Sequence, residues 1–146
     1  MKKSIMARLL EMIPSNSGME LPPKVFIDME GEFIDFVEGE TLTVRFPNKE
    51  RYMNPLGFMQ GGIIVAAIDN TIGPLSYMLA QPNITKEINT TFKRPITQSD
   101  SYIDVTASMI QKTSTHIVLQ AEVRNEKGKL AARGIANCVF IKERKP

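Results

Sequence analysis

The chain has 146 residues, a formal net charge of +2, 42% hydrophobic and 23% charged residues. That length suits one domain with a sizeable core, and the near-average composition excludes extended disorder. The basic residues are scattered, with no aromatic–basic pattern, so nucleic acid is not an expected partner.

The start, "MKKSIMARLLEMIP", has two lysines, but Arg8 and Glu11 break its apolar stretch, which argues against a secretory signal. No uninterrupted apolar run approaches the ~18 residues of a membrane span, and no membrane association is expected. Cys138 is the one cysteine, so no disulfide can form within the chain and a reducing compartment fits. The expectation is a soluble cytoplasmic protein.

Residues 4–13 place Ile5, Leu9 and Met12 on one helical stripe, and Pro14 ends it. A helix packed on its own domain is favoured over one lying on a membrane surface. "PSNSGMELPP" reads as loop. "EFIDFVE" and "TLTVRFP", joined at Gly39-Glu40, read as a hairpin. If the first strand is regular, Phe33, Asp35 and Val37 share one face, and Ile34, Phe36 and Glu38 the other. In the second, Leu42, Val44 and Phe46 alternate with Thr41, Thr43 and Arg45.

The next stretch, "NPLGFMQGGIIVAAIDNTIGPLSYMLA", is apolar on every side from Gly61 onward, as in a helix buried by its own protein. Gly73-Pro74 should bend or interrupt it, since Pro74 has no N–H and crowds the preceding turn. After Pro82 four strand segments follow: "ITKEINTTFKRP", "SYIDVTASMIQK", "THIVLQAEVRN" and "LAARGIANCVFIK". The predicted class is α+β, with one domain over 1–146 and an antiparallel sheet of about six strands wrapped round one long helix. The basic end, "KERKP", reads as a solvated tail.

Asp69 is the only charged residue between Arg51 and Lys86. A carboxylate buried in such a helix needs partners or a function. A helix starting near Gly61 leaves its first N–H groups unpartnered, and its dipole favours negative charge there. Gly61 would let a carbonyl approach that backbone, as an oxyanion site requires; tight packing of helix against sheet explains the glycines equally well. Eight helical residues span about 12 Å, too far for Gly61 and Asp69 to act on one carbonyl within a chain. If both act together, an antiparallel pair of helices from two subunits is needed. Alternatively, Asp69 caps a second helical segment beyond the break.

These residues resemble the hotdog-fold acyl-CoA thioesterases, nearest the phenylacetate-pathway and 4-hydroxybenzoyl-CoA branch. The likeness rests on "NPLGFMQGG" with an Asp eight residues after the first glycine of the pair, on "INTTFKRPI", and on "RNEKGKLAARGIANCVF" with Gly128 at a turn. It covers roughly residues 32 to 142. It implies hydrolysis of an acyl-CoA thioester by a homodimer or homotetramer, with neither metal nor organic cofactor. It assigns the catalytic carboxylate to Asp69, the carbonyl-polarising N–H to Gly61, and substrate or water positioning to Asn54. Gln60 and Gly62 fall in the substrate-binding turn. Lys93 and Arg94 become candidates for a CoA phosphate or the acyl group, or stand as an ordinary solvated strand end. Gln60 departs from the family's histidine; it can donate and accept hydrogen bonds but is no acid–base group near neutral pH. A non-catalytic acyl-CoA sensor of the same fold is the alternative. His116, Ser76 and Cys138 have no assignable catalytic partner and read as structural.

Overall fold

The computed structural model describes residues 4–12 and 18–142. In chain order these form α1 (Ile5–Met12), α2 (Lys24–Asp28), β1 (Glu32–Val37), β2 (Thr41–Pro47), a 3-10 turn (Glu50–Tyr52), α3 (Gly61–Leu79), β3 (Asn83–Phe92), β4 (Tyr102–Lys112), β5 (His116–Arg124) and β6 (Leu130–Phe140). The predicted helix stop at Pro14, part of the following loop and most of the basic tail lie outside the described residues. The five-residue α2 and the 3-10 turn escape sequence reading because neither fills a periodic window.

The six strands form one antiparallel sheet in the order β1-β2-β4-β5-β6-β3. It wraps α3, which touches β2, β3, β4, β5 and β6. This is the expected hotdog arrangement. β2 behaves as its pattern predicts: Leu42, Val44 and Phe46 are buried, and each such side chain contributes about 1.5–3 kcal/mol. The turn between β1 and β2 uses Gly39 at φ 76°, a conformation glycine adopts without steric cost.

β1 is not regular. Its pairing with β2 slips between Phe33 and Asp35, so a bulge at Ile34 restarts the alternation. Phe33 then pairs with Val44 and Phe36 with Leu42, which turns both rings inward. Phe33 stacks on Phe26 at 4.9 Å between centroids. α1 packs against β1 and α3, with Leu9 buried.

Of the bend or interruption expected at Gly73-Pro74, the interruption does not occur. α3 runs unbroken from Gly61 to Leu79 with Pro74 inside. Gly73 has no β-carbon to meet the proline ring, which removes one of the two clashes that disfavour helical geometry before proline; the intrahelical bond that Pro74 cannot donate stays absent. With no second helical segment, Asp69 is not a cap but a mid-helix residue. By length and composition (19 residues, hydropathy 1.3) α3 is apolar enough to cross a membrane. Here Ile64, Ala67, Ile68, Ile72 and Leu75 are buried, as in a core helix.

Candidate active site

The start of α3 is set by Gln60, whose φ of −63° and ψ of 138° are extended and whose side chain makes no capping bond. The carbonyl of Gln60 accepts the N–H groups of Ile63 and Ile64. The N–H groups of Gly61 and Gly62 come before any intrahelical partner and point out of the helix end. A β-carbon added to Gly61 would lie 3.1 Å from Phe92 Cζ, whereas one on Gly62 would meet nothing within 4 Å. Gly61 therefore serves close packing against β3 while its N–H remains directed outward. Gly62 borders open space.

Asp69 lies two turns further along the same helical face as Gly62. The expectation that it is buried fails: both residues are exposed in the single chain. Its Oδ1 accepts a 2.8 Å hydrogen bond from Thr85 Oγ1. Cys138 Sγ stands 3.9 Å behind Thr85 Oγ1 as a weak donor. Burial, together with the charge of Asp69, pushes the Cys138 thiol up, against a lowering by its Thr85 bond. The thiol therefore stays protonated and leaves the Thr85 proton directed at the carboxylate.

Thr85 reaches Asp69 because of a bulge. Pairing of β3 with β6 slips between Thr85 and Glu87, with Lys86 as the extra residue. Strict alternation would place Thr85 on the face of Glu87, Asn89 and Thr91. The bulge puts it instead with Ile88, Thr90 and Phe92, on the face toward α3. Sequence reading missed Thr85 for this reason; a Thr-Lys-Glu run carries no visible signal of a bulge.

The other predicted residues are spread more widely. Asn54 Oδ1 accepts the N–H groups of Leu56 and Phe58 at 2.9 and 3.0 Å; it shapes the turn before α3. Lys93 and Arg94 are exposed just past the end of β3, both backbone N–H groups sharing the Ala131 carbonyl. Phe92, whose ring lies against Gly61, immediately precedes them in the chain. Asp69 and Thr85 meet, Gly61 meets Phe92, which Lys93 and Arg94 follow in the chain, and one chain does not unite the two. His116 Nδ1 is 2.6 Å from Thr115 Oγ1 at the edge of its strand. Ser76 Oγ is spent on Gly73 O and Asn83 Oδ1.

A cleft of about 420 Å³ opens beside Asp69 and Thr85 and follows α3 past Asn70 and Pro74 to Tyr77. Burial first, then the Asp69 charge, pushes the Tyr77 hydroxyl up, so it remains a donor. Its Oη lies 3.4 Å from Asn83 O. Among the described residues no group of three or more His, Cys, Asp or Glu side chains is placed to hold a metal ion.

Residues 56–132 match the sequence profile of a family described as the thioesterase superfamily. A Saccharolobus solfataricus protein, named only as a candidate esterase, is 29% identical over 121 residues, covering 82% of this chain and 84% of its own. The Escherichia coli PaaI protein, from a phenylacetic acid degradation operon, superposes with a TM-score of 0.80 at 16% identity, covering 95% of this chain and 97% of its own. Streptococcus mutans smu.793, solved with acetyl CoA bound, superposes with a TM-score of 0.73 at 16% identity, over 90% of this chain and all of that one.

Proposed function

This chain belongs to the thioesterase superfamily, and from that premise we propose that it hydrolyses acyl-CoA thioesters to a free carboxylic acid and CoA. The observation that carries the reading is the fixed carboxylate: Asp69, held at one oxygen by Thr85, facing an open cleft. The acyl-CoA bound to smu.793 supports the ligand class.

In this mechanism Thr85 holds Oδ1, and the remaining oxygen of Asp69 takes a proton from water. The water oxygen bonds to the thioester carbon. Negative charge moves to the carbonyl oxygen, where the Gly61 N–H and the positive end of α3 receive it. The C–S bond then breaks, and CoA leaves as a thiol after taking up the proton. Direct attack by Asp69 is the other route open to the same carboxylate. Lys93 and Arg94 contribute charge for the CoA phosphates.

Because about 12 Å of helix separates Gly61 from Asp69, the proposal requires two chains. β3 supplies the means. It is the sheet edge, ten residues long, with Ile84 and Phe92 exposed at 56% and 50%. Antiparallel pairing of two β3 edges about a twofold axis at Asn89 sets Ile88 opposite Thr90 and Glu87 opposite Thr91. The Lys86 bulge then brings Thr85 opposite Phe92 of the second copy. Thr85 marks Asp69 and Phe92 marks Gly61, so each carboxylate approaches the other chain's helix start, and symmetry gives two sites.

Gln60 favours a second reading, an acyl-CoA sensor, since no acid–base group occupies its place at the helix start. Thiol release from short, medium, long and aromatic acyl-CoAs, with wild type beside Asp69→Asn, separates the two. Turnover that falls by about 10²–10⁴-fold in folded Asp69→Asn supports the hydrolase. Binding without turnover in the wild type overturns it in favour of the sensor.

A further inference from the structure

We propose that Ser76 and Asn83 are positioning residues: together they fix the register of β3 against α3, and so turn Thr85 toward Asp69. This rests on the thioesterase reading of Asp69, on which they act through Thr85. The two are buried, at 0% and 4% exposure, where α3 gives way to β3. β3 runs back along α3, so their contacts follow in order: Ser76 with Asn83, Asp69 with Thr85, and Gly61 beside the Phe92 ring. Asn83 and Thr85 are two residues apart on one strand face, about 7 Å. The first contact therefore stands next to the second, with Ile84 turned to the other face.

Asn83 is held on both sides of its amide. Its Oδ1 accepts the Ser76 hydroxyl at 3.1 Å, whose proton is shared with Gly73 O at 2.7 Å. Its Nδ2 donates to Gln81 O at 3.0 Å. The side chains beyond it do little to fix register. Positions 85–91 are polar except for Ile88, and a strand polar on both faces specifies its register weakly. Asn83 is the buried residue of β3, and it lies just before the Lys86 bulge, with Ile84 and Thr85 between them. A shift of one residue would bring Ile84 to the Ser76 hydroxyl and break the Asn83 bond. The cost of a buried amide without its partner keeps the strand where it is. Without that anchor β3 slips or the bulge moves, and Thr85 turns from the carboxylate.

Ser76→Ala removes the hydroxyl with little change of volume and keeps the helix. It should lower kcat for acyl-CoA hydrolysis by about 3–10-fold with KM little changed, and Asn83→Ala should do the same from the strand side. A double-mutant cycle with Thr85→Val decides whether the effect passes through Thr85: once Thr85 is replaced, Ser76→Ala should change kcat by less than about twofold. Thr71→Val is the control. The Thr71 hydroxyl, also buried, donates to Ala67 O at 2.8 Å within the same helix, and its loss should leave kcat and KM at wild-type values. Hydrogen exchange reads the register without turnover. In Ser76→Ala the amides of residues 84–88 should exchange about fivefold faster, while those of β4 and β5 keep wild-type rates. An equal loss of kcat with and without Thr85 overturns the proposal, as does unchanged exchange in β3. Faster exchange confined to β3, in a protein whose wild type hydrolyses no acyl-CoA, would overturn the catalytic reading of Asp69 and leave the register assignment standing.

Discussion

The two edges of the sheet are built differently. β1, at one edge, has six residues, is bulged at Ile34, and is packed by α1. Phe36 on that strand is 9% exposed, with the Arg8 guanidinium 4.6 Å above its ring. β3, at the other edge, has ten residues, of which only Asn83 is buried. An open edge of that length with exposed Ile84 and Phe92 invites another strand, and proteins ordinarily cover or shorten such edges. Asp69, Thr85 and Gly61 all stand on the open side. The chain finishes its own core at one edge and leaves the candidate site at the edge it does not finish.

The largest test of this contrast is complementation across the open edge. Asp69→Asn and Gly61→Val should each reduce thioester hydrolysis by about 10²-fold or more. Mixed in equal amounts after subunit exchange, they should regain about a quarter of wild-type activity, since half the dimers carry one intact site. No recovery, with exchange confirmed by mass spectrometry, rules out the shared site. Next in size is Thr85→Val, which removes the bond to the carboxylate. It should lower kcat by about 10–100-fold with KM little changed, and Thr85→Ser should restore most of the rate. Normal kinetics in Thr85→Val would reduce that bond to a structural one.

The closed edge should answer in stability instead. Phe36→Ala should cost about 3 kcal/mol by urea unfolding and leave kcat/KM per folded molecule unchanged; a loss of activity would mean the two edges are coupled. The finest test reads the register of β3. Thr91→Lys sets a cation opposite Glu87 of the second copy and should tighten the dimer, whereas Thr91→Glu should loosen it. Each contact is worth about 0.2–1 kcal/mol, twice per dimer. Analytical ultracentrifugation showing the same dissociation constant for both variants would exclude a twofold axis at Asn89.

Most of the fold was legible because its signals are local. The alternation of β2 and the turn at Gly39 each depend on a few neighbouring residues. The Gly128 turn is equally local: its φ is 79°, and Asn125 Oδ1 accepts the N–H groups of Lys127 and Lys129. The interruption expected at Gly73-Pro74 does not occur: Pro74 removes one helix bond, and Gly73, with no β-carbon, spares the chain one clash with the proline ring. At the candidate site, Gly61 and Asp69 stand out from spacing, and the family resemblance supplies the roles proposed for them. Thr85 does not, since its direction depends on a bulge that β6 imposes from 53 positions away, through Cys138 and Asn137. The exposure of Asp69 was equally hidden, because an apolar helix gives no sign of which stripe stays exposed.

Lys86 works like a spacer base in a reading frame. Its side chain is exposed and makes no demand on identity, yet its presence decides which of its neighbours is turned inward. Substitution there should be cheap and deletion costly: Lys86→Ala should keep activity. Removing the residue would let the strand alternate without interruption, turn Thr85 away from Asp69 and abolish turnover while the sheet still melts cooperatively. A deletion variant that kept full activity would show that Thr85 owes its direction to something else. If the expectation holds, variation at this position is tolerated in chemistry and forbidden in length.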